Sequence, residues 1–141
     1  PVRPGEAQVA RYVSAGRPAL APDDLGTFGF MWSSCSFEHL DSIALGEKFV
    51  HEAMKYLKPG GWAVHTTEYN VSSNTTTINS GNLLLFRRCN IEPIADRLRA
   101  DGTLPGDLMV DVPPYKEQIH LKLSIGSSVA TSIGLIIQKA G

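Results

Sequence analysis

The sequence has no uninterrupted apolar run long enough to cross a bilayer. It has no bias of charge either. Thirteen Lys and Arg stand against 14 Asp and Glu, a formal net charge of -1, and no basic stripe dominates any stretch, which argues against a general nucleic-acid binder. Two cysteines, Cys35 and Cys89, cannot make a disulfide framework and are expected as reduced thiols. No basic-then-apolar stretch of the signal-peptide kind opens the chain, so the expected compartment is the cytoplasm, with no membrane partner. No Gly-x-Gly occurs anywhere, which removes the fingerprint of a dinucleotide-binding turn. There are no internal repeats, and no initiator methionine precedes Pro1, as in an excerpt of a longer chain.

What is present suits one globular domain over residues 1–141. Residues 1–27, punctuated by Pro1, Pro4, Pro18 and Pro22, are expected to be irregular, with at most a short helix over 6–15. Residues 28–33 read as a buried strand, apolar on both faces as covered parallel strands are. Over 42–58, Phe49, Val50, Ala53, Met54 and Leu57 share one helical face, and Pro59-Gly60-Gly61 would end that helix. A second strand follows at 62–67, making a strand–helix–strand unit with parallel strands. Residues 70–82 are a polar loop without periodicity, of the length that often covers a binding site. A short extended piece is expected at 83–87. A helix capped by Asn90, with Pro93 in its first turn, should then end at Gly102. Strands are expected at 108–112, 120–125 and 129–139, the last two joined as a hairpin through Gly126-Ser127-Ser128. The expected fold class is α/β: a partial, Rossmann-like open sheet of parallel strands with a C-terminal antiparallel hairpin.

Ligands of open α/β sheets bind beyond the carboxyl ends of the strands. Both candidate parallel strands run from apolar into polar residues at that edge. The first ends in Ser33, Ser34, Glu38 and His39; the second ends in His65, Thr66, Thr67, Glu68, Tyr69 and Asn70. The blander readings stand beside this: Glu38 could cap a helix, and His39 could be a packing histidine.

An apolar strand running into "SSCSFEHL", a helix ending in "LKPGG" and a strand "WAVHTTEYN" together resemble the second half of a class I S-adenosylmethionine-dependent methyltransferase. The resemblance covers about residues 20–140, with "ATSIGLIIQKA" as that family's terminal antiparallel strand. It implies S-adenosylmethionine as cofactor and methyl transfer to a small-molecule or sugar hydroxyl. The family's glycine-rich loop and the acid ending its second strand have no counterpart here, and Gly29 stands where relatives often place an acid. The chain therefore resembles the C-terminal part, from just before the fourth strand, and a non-catalytic remnant or interaction domain of the same fold is the rival expectation. With the first strand absent, 28–33 would expose an apolar edge. Residues 1–27, a second copy in a homodimer, or a missing N-terminal half should cover it.

By resemblance, Ser33, Ser34 and Cys35 would meet the cofactor. Thr67, Tyr69 and Asn70 are the candidate acceptor-binding residues, beneath a closing 70–82 loop. His39 or His65 is the candidate general base, oriented by Glu38 or Glu68, because a histidine titrates near neutrality. Glu38, His39 and His65 are also chemically reasonable metal ligands. The Glu38-His39 pair after that strand resembles one in metal-dependent RNA 2′-O-methyltransferases, but Cys35 stands where a further acid is expected three residues before Glu38, and no metal is assigned.

Overall fold

The computed structural model describes residues 26–79, 82–105 and 121–141. The expected helix over 6–15 and strand over 108–112 lie outside them, as does nearly all of the segment 1–27.

Strand β1, Phe28–Ser33, pairs in parallel with β2, Leu57–Asn70, through helix α1, Ile43–Ala53. Strand β5, Ser128–Gln138, then runs antiparallel along the other side of β2, from Trp62↔Gln138 to Asn70↔Ala130. Two short strands, β3 (Leu104–Pro105) and β4 (Leu123–Ile125), pair antiparallel with β5. The turn at Gly126, which takes a positive φ, closes the expected β4–β5 hairpin. The architecture is a mixed α/β sheet in which one pair, β1 and β2, is parallel. Helix α2, Arg88–Ala100, completes the helical layer.

The core is built on aromatic rings. Phe37 stacks on Phe49 and meets Phe86 edge-on at 4.9 Å between centroids. Gly46 makes room for them: a Cβ there would lie 2.5 Å from Phe86 Cζ. Beneath these rings the sheet presents Ala63, His65, Thr67 and Tyr69, all buried. The opposite face carries Phe30, Trp32, Trp62 and Ile136, which the described residues leave 42–61% exposed. Strand β1 was expected to be covered on both sides; among the described residues it is an edge strand with one face open.

Three boundaries differ from the expectation. Helix α1 ends at Ala53 and passes through a 3-10 turn, Met54–Tyr56, straight into β2. Beyond the helix end, Lys139 Nζ reaches in from far along the chain and donates to Met54 O and Leu57 O at 2.9 and 2.8 Å. Pro59-Gly60-Gly61 lies inside β2, where the β1–β2 register shifts; Gly60 supplies a positive φ, and Gly61 lets β1's backbone come close. Asn90 is not the N-cap of α2. Arg87 holds that position, and the Asn90 side chain accepts from Arg87 N from inside the first turn. The end of α2 is as expected, with Gly102 at positive φ and Thr103 N bonded to Leu98 O.

Candidate functional site

Strand β1 is shorter than β2, so β2's edge changes partner part-way. Cys35 N donates to Thr66 O at 3.1 Å, the last contact of the β1 side. Residues 84–86 then take over the same edge: Phe86 N donates to Glu68 O, and Asn70 N to Phe86 O. Between the two partners sits the 3-10 turn Phe37–His39, tied to the new partner by Leu84 N donating to Glu38 O at 2.8 Å. The hand-over leaves a notch at the carboxyl end of β1, and the turn fills it with Glu38.

Three acidic or nucleophilic side chains meet in that notch. Cys35 Sγ lies 3.9 Å from Glu68 Oε1, and one ligand atom each from Cys35, Glu38 and Glu68 lie within 4.8 Å of one another. Glu38 is fully buried; Thr67 Oγ1 donates to its Oε2 at 3.2 Å. Glu38 Oε1 and Glu68 Oε2 are buried without a hydrogen-bond partner. Burial pushes the Glu68 carboxyl above the usual range, and the Glu38 charge adds to this. The Cys35 thiol and the His39 ring pull the other way. Thr66 and Ser132 approach the Cys35 sulfur at 3.7 and 3.5 Å. Ser132 was not singled out from the sequence; the pairing of Ser132 with Glu68 across β2 and β5 brings it here.

The remaining candidates are placed elsewhere. His65 points into the core, 2% exposed, sharing a 2.8 Å hydrogen bond with Ser33 Oγ and lying edge-on to Phe37 and Phe49. Burial lowers its pKa to about 4. His39 is exposed, and its Nδ1 bonds to Asn82 O. Ser33 thus spends its hydroxyl inward on His65, while Ser34 is exposed. Thr67 and Tyr69 are buried on the core face.

Asn70 organises the loop. Its Oδ1 accepts from Ser72 N, Ser72 Oγ and Ser73 N, and its Nδ2 donates to Thr76 O and Thr77 Oγ1. The loop is also fastened to α2, by Arg87 Nη1 to Thr75 O and Cys89 N to Asn74 Oδ1. These bonds hold its described part as a fixed wall rather than a free flap. A groove of about 310 Å³ runs beside it, lined by Tyr69, Asn70 and Arg88 among others.

No family model matches the chain, and no curated protein is significantly similar to it. Among solved structures it is similar to an O-methyltransferase family protein from Burkholderia thailandensis, with a TM-score of 0.49 and 16% identity. The match covers 84% of this chain and 32% of that protein, so the chain spans about a third of its length.

Proposed function

We propose that the carboxyl ends of β1 and β2 form part of a methyl-transfer site whose acceptor is a small-molecule or sugar hydroxyl. The observation that carries this reading is the convergence of Glu38, Glu68 and Cys35 in one notch at the end of two parallel strands. S-adenosylmethionine, when bound, supplies a methyl group on a positively charged sulfonium. The unpaired oxygens of Glu38 and Glu68 fit that charge. The nucleoside end is another matter: the described residues offer no glycine-rich turn for it, and it would need backbone beyond them.

The chain's own part is proton handling and positioning. Glu68 takes the proton of the acceptor hydroxyl, and its upward-shifted pKa brings it closer to the working pH of a general base. Glu38, held by Thr67, keeps that pKa raised by its charge. His39 sits near enough to Glu68 to act on its charge from the rim. His65 has no part in proton transfer, because its ring lies beneath Phe37 and Phe49.

Release of S-adenosylhomocysteine from purified protein, supplied with S-adenosylmethionine and a panel of hydroxylated acceptors, tests this. Glu68→Gln should lower kcat by about 100-fold or more, the usual contribution of a positioned base. Unchanged turnover in Glu68→Gln would refute the assignment. A second reading, a non-catalytic interaction domain, draws on the open apolar face of Phe30, Trp32, Trp62 and Ile136. A second copy of the chain or a further part of the protein would cover that face. Calorimetry with S-adenosylmethionine separates the two, since an interaction domain should give no heat.

A further inference from the structure

We propose that Cys35, Glu38 and Glu68 bind one thiophilic divalent cation of the zinc class. A zinc ion holds sulfur at about 2.3 Å and carboxylate oxygen at about 2.0–2.2 Å, which sets tetrahedral ligands about 3.5 Å apart. The Cys35 sulfur and Glu68 Oε1 already stand 3.9 Å apart, and the three donor atoms fall within 4.8 Å of one another. The separations exceed that spacing by about 1 Å or less.

A second observation points to the same occupant. Glu38 is completely buried, yet its Oε1 has no donor, and Glu68 Oε2 is buried beside it in the same condition. Thr67 satisfies one oxygen of Glu38 and no more. The ion pairs among the described residues, Lys55–Glu52, Arg88–Glu92 and Arg99–Asp96, leave both acids without a lysine or arginine. A fully buried carboxylate beside a half-buried one, each with a buried unpaired oxygen, is costly unless a positive charge or a proton compensates the pair. A divalent ion meets both at once, and the adjacent thiol selects zinc over magnesium or calcium, which prefer an all-oxygen shell.

The surroundings complete the set. Ser132 Oγ and Thr66 Oγ1, 3.5 and 3.7 Å from the sulfur, are placed to donate to a metal-bound thiolate. Glu38 comes from the 3-10 turn, Cys35 from the residues just before it and Glu68 from β2, so the ion would also pin the turn to the strand. Cys35 and Glu68 are half-buried, which leaves a way in from solvent and room for water as fourth ligand. The thiol gives up its proton to solvent as the metal binds. This inference shares the site of the proposed function and does not rest on its chemistry, because metal binding is read without turnover.

Chelator-treated protein is titrated with Co2+, following the thiolate-to-cobalt charge-transfer absorption, and then with Zn2+ in competition. One equivalent per chain should bind. Cys35→Ser should abolish the charge-transfer band, and Glu68→Gln should weaken binding at least about 10-fold, while Cys89→Ser, at the exposed start of α2, leaves both unchanged. In the unmutated protein, Zn2+ should slow alkylation of Cys35 and not of Cys89, a readout independent of how the variants fold. Absence of saturable binding, or a band that survives Cys35→Ser, overturns the proposal. Metal binding without methyl transfer overturns the proposed function alone, and methyl transfer by a protein that binds no metal overturns this inference alone.

Discussion

His65 should make this protein acid-sensitive in a defined window. The ring is 2% exposed, its Nε2 has no partner, and burial lowers its pKa from 6.5 to about 4. Above pH 6.5 the imidazole is neutral in the folded and unfolded chains alike, and its contribution is fully present. Between pH 6.5 and about 4 the unfolded chain binds a proton that the folded one refuses, so stability falls as pH falls. The difference between the two values, at about 1.4 kcal/mol per pH unit, comes to about 3 kcal/mol, most of it lost by pH 4.5. That is a large fraction of a typical domain's 5–15 kcal/mol or so. Two neighbours act in the same range. Glu68, whose folded pKa is raised, contributes with the opposite sign, gaining stability as pH falls through its folded value. His51 is lowered like His65 but is only partly buried, so its part is smaller and of the same sign. Urea unfolding at pH 7.5, 6.0, 5.0 and 4.5, compared between the natural protein and His65→Asn, subtracts both. The stability gap should narrow by about 2–3 kcal/mol toward pH 4.5. The ring's own NMR titration checks the cause. A His65 ring titrating near 6.5, or a gap flat across the window, would refute the reasoning.

Two further substitutions probe the frame around the site. Asn70→Ala removes five hydrogen bonds that shape the loop after β2; it should cost about 2 kcal/mol and speed amide exchange across residues 71–79, and unchanged protection there would mean the loop is held by other means. Gly46→Ala would stabilise an ordinary exposed helix by about 1 kcal/mol, but its Cβ would meet Phe86 and the Phe37 carbonyl at 2.5 and 3.0 Å. A loss of about 1–3 kcal/mol in thermal unfolding is expected instead, and a raised Tm would contradict the packing of α1 on those rings.

The amphipathic α1, the parallel strand pair and the β4–β5 hairpin were legible because each is written in a local period or a turn residue. Two of the misplaced boundaries turn on contacts distant in sequence. Pro59-Gly60-Gly61 looks like a helix stop, yet α1 has already ended at Ala53, and the glycines serve a register shift against β1 inside β2. The cap of α2 is a local matter, decided between Arg87 and Asn90. The place of His65 is set by packing. Along β2, Trp62, Val64, Thr66 and Glu68 alternate with Ala63, His65, Thr67 and Tyr69, and hydropathy alone would turn the set led by Trp62 inward. The structure buries the other set. Phe37, Phe49 and Phe86 fill the space under the helices, and what fits beneath them is small or flat: an alanine, an imidazole, a threonine. That choice sends His65 into the core and Glu68 to the notch, a one-residue difference that inverts the role of every side chain on the strand.

The same inversion separates what folding needs from what it does not. Thr67 and His65 are polar groups accommodated by the core, His65 sharing a bond with Ser33 and Thr67 donating to Glu38. Glu38 brings a carboxylate rather than a hydroxyl or a ring. It is fully buried with one oxygen unpaired, and a second acid faces it. An apolar side chain of similar volume at position 38 would pack into the notch without that desolvation cost and without the repulsion that raises Glu68. Leu84 N bonds to the Glu38 main chain, so the hand-over of β2's edge does not depend on the carboxylate at all. Among the described residues, the carboxylate serves the fold only as the acceptor for Thr67, and its other oxygen is left over. On either proposed reading, a partner that tunes Glu68 as a base or a ligand that holds a cation with Cys35, the desolvation cost of Glu38 falls at the notch, as such costs do at functional sites.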